Sequence, residues 1–293
     1  MAVIDKIYDD VCMTVLQDGF TYQDKSRSNI DMLQVSNYSF SYFMSDGFPL
    51  LTTKKIFWKT VAHEFIWMLS GSEYINYLRD NGVKIWDKDV ANFNIIPRVA
   101  GLRAPTYAGP IYGCQWRKWN KSETDSFLDT IDQLKSLLVN LKENPFNRRH
   151  IVTAWNPSDL HRMCLPPCHW SFEVLPKKIN SDKMAFDLKW HQRSVDTFLG
   201  LPFDIALYAF MGKLIELQTG YQFHTLIADL SNVHFYGPHI PLIKQQLKKR
   251  RHRPASFNFD SSTTFDNINI NRFNLYNYVS EASIKAQMYA KTL

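Results

Sequence analysis

The stretch Leu165-Pro166-Pro167-Cys168-His169-Trp170-Ser171-Phe172-Glu173-Val174-Leu175 sets a thiol on a double-proline turn, at the entrance to a segment that reads as a strand over 168–175. Each proline fixes φ and removes a backbone donor, so the turn can aim the Cys168 sulfur stiffly. A lone cysteine is more often an inert buried thiol than a nucleophile, because reactivity needs an electropositive, partly exposed setting. The surrounding segments bear on that choice. Apolar residues alternate at Tyr38, Phe40, Tyr42 and Met44 and again at Phe186, Leu188 and Trp190, which predicts two more strands. Residues 151–155 and 225–230 read as strands too.

Between the strands lie helical patterns. Residues 56–70 are apolar nearly all round and stop at Gly71, which predicts a buried helix with a glycine cap. Residues 125–143 repeat apolar side chains at helical spacing up to Pro145, and residues 204–219 form a third, mostly apolar helix before Gly220. Helices and strands alternate irregularly, so the fold class expected is α+β, not a doubly wound sheet. With no repeat, low-complexity block or Gly/Ser linker, the chain reads as a single domain over 1–293, with an inserted loop at 88–110 that holds three prolines.

The chain has 293 residues, 45% hydrophobic and 21% charged, enough to bury a large core. Its net charge of +6 is modest, and the one dense basic run, Lys248-Lys249-Arg250-Arg251-His252-Arg253, lacks the aromatic and glycine pattern of an RNA-binding module. No specific nucleic acid is therefore expected as a partner. Cys12, Cys114, Cys164 and Cys168 match no zinc-ligand spacing and no dense disulfide framework, so no metal is expected and a reducing cytosol is the natural home. Asp5, Asp9 and Asp10 near the N-terminus argue against a signal peptide, and no apolar run reaches the roughly eighteen residues of a membrane span.

Arginines give the thiol its interest. Arg148 and Arg149 precede one strand, Arg193 follows Gln192 at the end of another, and Arg27 sits in a polar loop. Guanidinium forks bind phosphate bidentately and lower the pKa of a nearby thiol, although each arginine taken alone reads as a surface residue. Glu64 stands out within an almost wholly apolar helix, where a carboxylate costs several kcal/mol unless paired or protonated. Trp86 reads, on composition alone, as a core aromatic.

These segments together resemble the thymidylate synthase family over nearly the whole chain. The resemblance is carried by 46–55, His63-Glu64-Phe65-Ile66-Trp67, Ile85-Trp86-Asp87, Tyr112-Gly113-Cys114-Gln115-Trp116, Asn147-Arg148-Arg149, Ala154-Trp155-Asn156 and 165–169. Gln192-Arg193-Ser194, 198–203 and His234-Phe235-Tyr236 complete it. It implies a large sheet with surrounding helices, a homodimer joined through its sheets, and 5,10-methylenetetrahydrofolate as co-substrate. By resemblance, Cys168 adds to pyrimidine C6 with His169 beside it, Glu64 moves protons, and Tyr112 lies where the C5 proton is lost. Arg27, Arg193 and Ser194 would grip the nucleotide phosphate, joined by Arg148 and Arg149 from the partner subunit. His234 and Tyr236 would hold the sugar 3′-hydroxyl. Gln192 belongs to the substrate side, while Trp86, Leu165, Asp196, Gly200 and Phe203 would form the folate wall.

One position departs from the synthase pattern. Asp204 stands where thymidylate synthases have an asparagine, whose amide accepts from uracil N3–H and donates to O4. Cytosine reverses both groups, and a carboxyl holding one proton matches it. Staying protonated unaided would need a pKa raised from about 3.9 to beyond 7, at a cost of roughly 4 kcal/mol. Deoxycytidylate hydroxymethylases of this family, found in viruses that modify their DNA, carry aspartate here. The sequence therefore points to dCMP as substrate, with dUMP as the alternative, in a cytoplasm that is the host's if the chain is viral. The product reading leans to 5-hydroxymethyl, since Lys291-Thr292-Leu293 extends a tail that otherwise resembles the segment sealing synthases. The retained Trp86 and Leu165 favour methyl. Phe57, Asp89 and 28–31 also depart from residues that commonly support folate. A plain thymidylate synthase and a catalytically silent nucleotide- or RNA-binding protein are the remaining alternatives.

Overall fold

Long strands form where β-branched and aromatic residues alternate with small or polar ones, and here they assemble one mixed sheet. The computed structural model describes residues 1–23, 30–95, 105–120 and 130–289. In chain order the first half contains α1 (Val3–Asp18), β1 (Phe20–Gln23), β2 (Asp31–Phe43), α2 (Trp58–Ser70), α3 (Asn76–Asp80), α4 (Asp87–Ile95), α5 (Gly113–Arg117), β3 (Trp119–Asn120), β4 (Thr130–Ile131) and α6 (Gln133–Glu143). The second half contains β5 (Ile151–Thr153), β6 (His169–Lys178), β7 (Met184–Gln192), β8 (Val195–Asp196), α7 (Leu201–Thr219), β9 (Gln222–Tyr236), α8 (Ile240–Gln246), β10 (Ser256–Phe259) and β11 (Phe273–Tyr276). The α+β class expected from the sequence is the one found.

The main sheet runs β1-β2-β9-β7-β6-β5, with β8 alongside β9. β9 is antiparallel to β2 but parallel to β7 and β8, so α7 serves as the crossover that returns the chain to the sheet centre. α7 is apolar on every side and almost entirely buried, from Ile205 and Leu207 through Phe210 to Ile215. It packs between the sheet and α2, whose own buried face includes Val61, Phe65 and Met68. The register between β6 and β7 slips between His169 and Ser171, a bulge directly after Cys168 that re-aims the strand end.

The opposite sheet face is built differently. His191 lies between Glu173 (3.0 Å) and Asp229 (3.1 Å), Lys189 joins Asp229 (3.1 Å), and Lys177 pairs with Asp187 (2.7 Å). By register, Ile151, Leu175 and Phe43 share that face, and all three are exposed.

Several boundaries differ from the sequence reading. The helix expected over 125–143 begins only at Gln133, where the Asp132 side chain caps it by accepting from Lys135 N (2.9 Å). Thr130–Ile131 pairs with Trp119–Asn120 as a short ribbon, and 125–129 lie outside the described residues. The stretch read as a loop at 88–110 starts as helix α4. Its end is tied down, with Ile75 N donating to Thr106 O (2.9 Å) and Cys164 N to Ala108 O (2.8 Å). The sequence reading names no helix at the N-terminus, where α1 forms: Asp5 on it is fully buried and accepts from Thr52 N (2.7 Å), while Arg251 of the basic run pairs with Asp9. Among the described residues no helix is long and apolar enough to cross a membrane.

Candidate active site

Strand ends and the start of α7 converge on a cleft of about 340 Å³. Its walls bring together Glu64, Trp86, Tyr112, Leu165, Cys168, His169, Gln192, Ser194, Asp196, Gly200, Phe203, Asp204, His234 and Tyr236, fourteen of the residues singled out in the sequence. Ile85, Leu199 and the tail residues Ala286, Met288 and Tyr289 also line it.

The thiol sits where the double-proline turn meets the bulge of β6. Arg193 fastens that turn: its Nε donates to Pro167 O (2.9 Å), its Nη2 to Pro166 O (2.7 Å), and its backbone N to Cys168 O (2.8 Å). The guanidinium also lies over the Trp155 ring, 5.5 Å from its centroid. Two of its five N–H donors are thus committed to the turn, and Arg193 itself is not among the residues lining the cleft. Cys168 is half-buried, and none of the four cysteines is in a disulfide.

Tyr112 is held beside the thiol at a backbone cost. Its φ of 37° lies in the left-handed region, which a bulky residue adopts only when its surroundings compel it. The next residue must be glycine, because a Cβ on Gly113 would stand 1.6 Å from Met68 O of α2. This close approach of α5 to α2 aims the Tyr112 hydroxyl at Cys168 N, from which it accepts at 2.9 Å. The His169 ring stacks on Tyr112 (4.2 Å, 25°), and its Nδ1 meets the Tyr208 hydroxyl at 2.9 Å. Burial pushes His169 down to about 3, so it is a neutral hydrogen-bonding group, and burial drives the Tyr112 phenol well above 10.

Three carboxyls line the cleft, Glu64, Asp196 and Asp204, and burial raises the pKa of the first and the last. Burial pushes Glu64 up to about 7, against a hydrogen bond from Trp86 Nε1 (2.8 Å) that favours its charge, with the Asp204 charge adding to the rise. Asp204 occupies the first turn of α7, where a helix dipole favours an anion, yet burial pushes it up to about 7 as well. Gln192 Nε2 donates to Asp204 Oδ2 at 2.8 Å. Asp196 Oδ1 accepts from Phe198 N (3.0 Å) and Leu199 N (3.1 Å), which shapes the loop into α7. Beneath that loop Lys54 donates to Phe198 O and lies over its ring, 3.8 Å from the centroid.

Sequence reading missed Lys54 and Tyr208, and it marked the tail as a sealing segment without naming the residues it packs on. Tyr289 packs on Tyr236 (5.0 Å) and His239 (5.4 Å), and His239 Nε2 meets Gln287 O at 2.9 Å. Tyr208 lies inside an all-apolar helix pattern, and only its hydroxyl, which needs a partner when buried, signalled a second role. Arg148 and Arg149 are exposed between α6 and β5 and do not line this cleft. Arg27 and the tail extension 290–293 lie outside the described residues.

The apolar wall of Ile85, Trp86, Leu165, Leu199 and Phe203 suits a flat conjugated ring, and the polar end suits a nucleotide. No cluster able to hold a metal ion occurs among the described residues. The thymidylate synthase family profile matches residues 6–290. A thymidylate synthase of Mycoplasma genitalium is 36% identical over 300 aligned residues, covering 94% of this chain and 98% of that protein. The profile spans the whole sheet and the whole cleft, and the chain belongs to the thymidylate synthase family, whose members transfer a one-carbon unit from methylenetetrahydrofolate to a pyrimidine nucleotide.

Proposed function

We propose that the nucleotide is dCMP and that the product is 5-hydroxymethyl-dCMP. The observation that carries the substrate reading is Asp204, a carboxyl on the cleft wall that holds Cys168, with its proton affinity pushed up to about 7. A protonated carboxyl gives its proton to cytosine N3 and accepts from the 4-amino group, whereas uracil offers a donor and an acceptor in the opposite places. A mismatched buried pair costs about 1 to 3 kcal/mol per unpaired group, which supports discrimination of roughly a hundredfold.

In this reading the Cys168 sulfur adds to C6, and the electron pair raised at C5 attacks the one-carbon unit. Methylenetetrahydrofolate supplies that unit, held against Trp86, Leu165, Asp196, Gly200 and Phe203. Glu64, poised near neutrality, moves protons through the cleft, and neutral Tyr112 and His169 flank the carbon that loses its proton. Arg193, Ser194 and Arg27 bind the phosphate, His234 and Tyr236 the sugar hydroxyl. Arg148 and Arg149 act in the partner subunit's site, in a homodimer formed through the uncovered sheet face where Ile151, Leu175 and Phe43 are exposed.

The hydroxymethyl product rests on the extended tail Lys291-Thr292-Leu293, which lies outside the described residues: in this reading tetrahydrofolate leaves, water captures the exocyclic methylene, and Cys168 then departs from C6. A methyl product is the second reading, favoured by Ala286, Met288 and Tyr289 of the tail, which line the same cleft as Trp86 and would shield it from water. The identity to a thymidylate synthase favours dUMP as the third. Mass spectrometry of the product, with dCMP and dUMP each offered beside methylenetetrahydrofolate, tests all three. The proposal expects dCMP to gain a hydroxymethyl group without dihydrofolate absorbance. Stoichiometric dihydrofolate would make the enzyme a methyltransferase, and turnover of dUMP alone would make it a thymidylate synthase.

A further inference from the structure

Asp204 reads the base only if its proton stands on the right oxygen, and the groups behind it bear on which oxygen that is. Gln192 has two donors and one acceptor to distribute. Its Oε1 accepts from Trp190 Nε1 at 3.1 Å, and its Nε2 donates to Ser194 O at 3.1 Å and to Asp204 Oδ2 at 2.8 Å. An indole N–H can only donate and a backbone carbonyl can only accept, so both contacts demand the same orientation of the amide. A flipped amide would set N–H against N–H at Trp190 and oxygen against oxygen at Ser194. Gln192 therefore presents a donor to Asp204, and Oδ2 must answer as an acceptor. A carboxyl with one proton keeps its better acceptor on the unprotonated oxygen, which leaves the proton on Oδ1.

Trp190 has no contact with the cleft. It is completely buried on β7, stacked on Tyr208 (5.3 Å, 9°) with Phe40 at its edge (5.8 Å, 80°). Apolar packing accounts for the rings but not for the direction of the N–H. We propose that Trp190 is a positioning residue for base selection: through the Gln192 amide it fixes which oxygen of Asp204 carries the proton and which accepts. This rests on the reading of Asp204 as the base-recognising group.

The test is a double-mutant cycle read as the ratio of kcat/KM for dCMP to that for dUMP, measured by tritium release from C5. Trp190→Phe keeps a ring against Tyr208 and removes the donor, and Gln192→Met removes the amide at similar length. Each single variant is expected to lower the ratio about tenfold, the size of one buried hydrogen-bond constraint. Trp190→Phe should add nothing in the Gln192→Met background, because the lock it serves is already gone. A purely structural Trp190 would lower turnover of both nucleotides alike, leave the ratio unchanged and act additively with Gln192→Met. That result overturns the inference while leaving dCMP as the substrate. A wild-type enzyme that prefers dUMP overturns the Asp204 reading and this inference together. Should Trp190→Phe fail to fold, an unchanged ratio in Gln192→Met alone is enough to overturn it.

Discussion

Behind one end of the cleft Trp190 donates to Gln192, which in turn donates to both Ser194 O and Asp204. At the other, Ile85, Trp86, Leu165 and Phe203 present mostly carbon, and Glu64 is held by a single indole N–H. Burial pushes both Glu64 and Asp204 up to about 7, and what separates them is the setting of their hydrogen bonds. Asp204 has one oxygen committed to a fixed donor, and under the proposed function it turns the other to the base. Glu64 is restrained at one point and can exchange its proton. Directional bonds give selectivity, and a dry apolar wall gives exclusion of water.

The largest effect is expected at the junction between the two ends. Cys168→Ser should abolish C5 tritium release while the nucleotide still binds by equilibrium dialysis, since the phosphate and sugar contacts remain. Release near the wild-type rate in that variant would remove Cys168 from the chemistry.

Asp204→Asn sharpens the comparison at the selective end. An amide cannot supply a titrating proton and can turn its donor to uracil O4, so the preference between dCMP and dUMP should swing toward dUMP by about a hundredfold. Stability should change with it. Asp204 rises from 3.8 to about 7 on folding, so between those values the folded chain keeps a proton that the unfolded chain has lost. Stability therefore falls as pH rises through that window and is level above it. The wild-type melting temperature should drop from pH 5 to pH 8, and by less in Asp204→Asn. An equal drop in both would show that the pKa of Asp204 does not rise on folding.

Arg148 and Arg149 stand outside both ends of their own chain's cleft. Mixing an inactive Arg149→Ala variant with Cys168→Ser should restore about a quarter of wild-type activity, because random exchange gives hybrid dimers one intact site each. No recovery, with exchange demonstrated by native mass spectrometry, would mean that the partner contributes no arginine.

The smallest effect is expected at the apolar end. Trp86→Phe removes the N–H that favours ionised Glu64, so the carboxyl should rise further and the acid limb of the kcat profile should move to higher pH. A loss of about tenfold in kcat/KM corresponds to one hydrogen bond to a charged group. An unmoved acid limb would mean that Glu64 does not control it.

What the sequence made legible follows from which signals are local. α2 and α7 are long and mostly apolar, and the middle of β7 alternates cleanly because one face is core and the other carries Asp187, Lys189 and His191. β9 was read short. Its ends, Gln222–His224 and Ser231–Tyr236, owe their pairing to β7 and β2 more than to their own pattern. α1 was lost because the partner of Asp5 is Thr52, far along the chain. Most cleft residues could be named from motifs, but their polarity could not. The fork of Arg193 on the proline turn and the indole of Trp190 behind Gln192 are tertiary contacts between segments that each look ordinary.

Whether Asp204 selects cytosine is tested most directly by measuring turnover of each nucleotide separately. C5-tritiated dCMP and dUMP, offered in turn to wild-type enzyme with saturating methylenetetrahydrofolate at pH 6.5 to 8, give kcat/KM for each. The account predicts a dCMP preference of about a hundredfold that shrinks as pH rises past 7, where Asp204 loses its proton. A pH-independent preference for dUMP would contradict it.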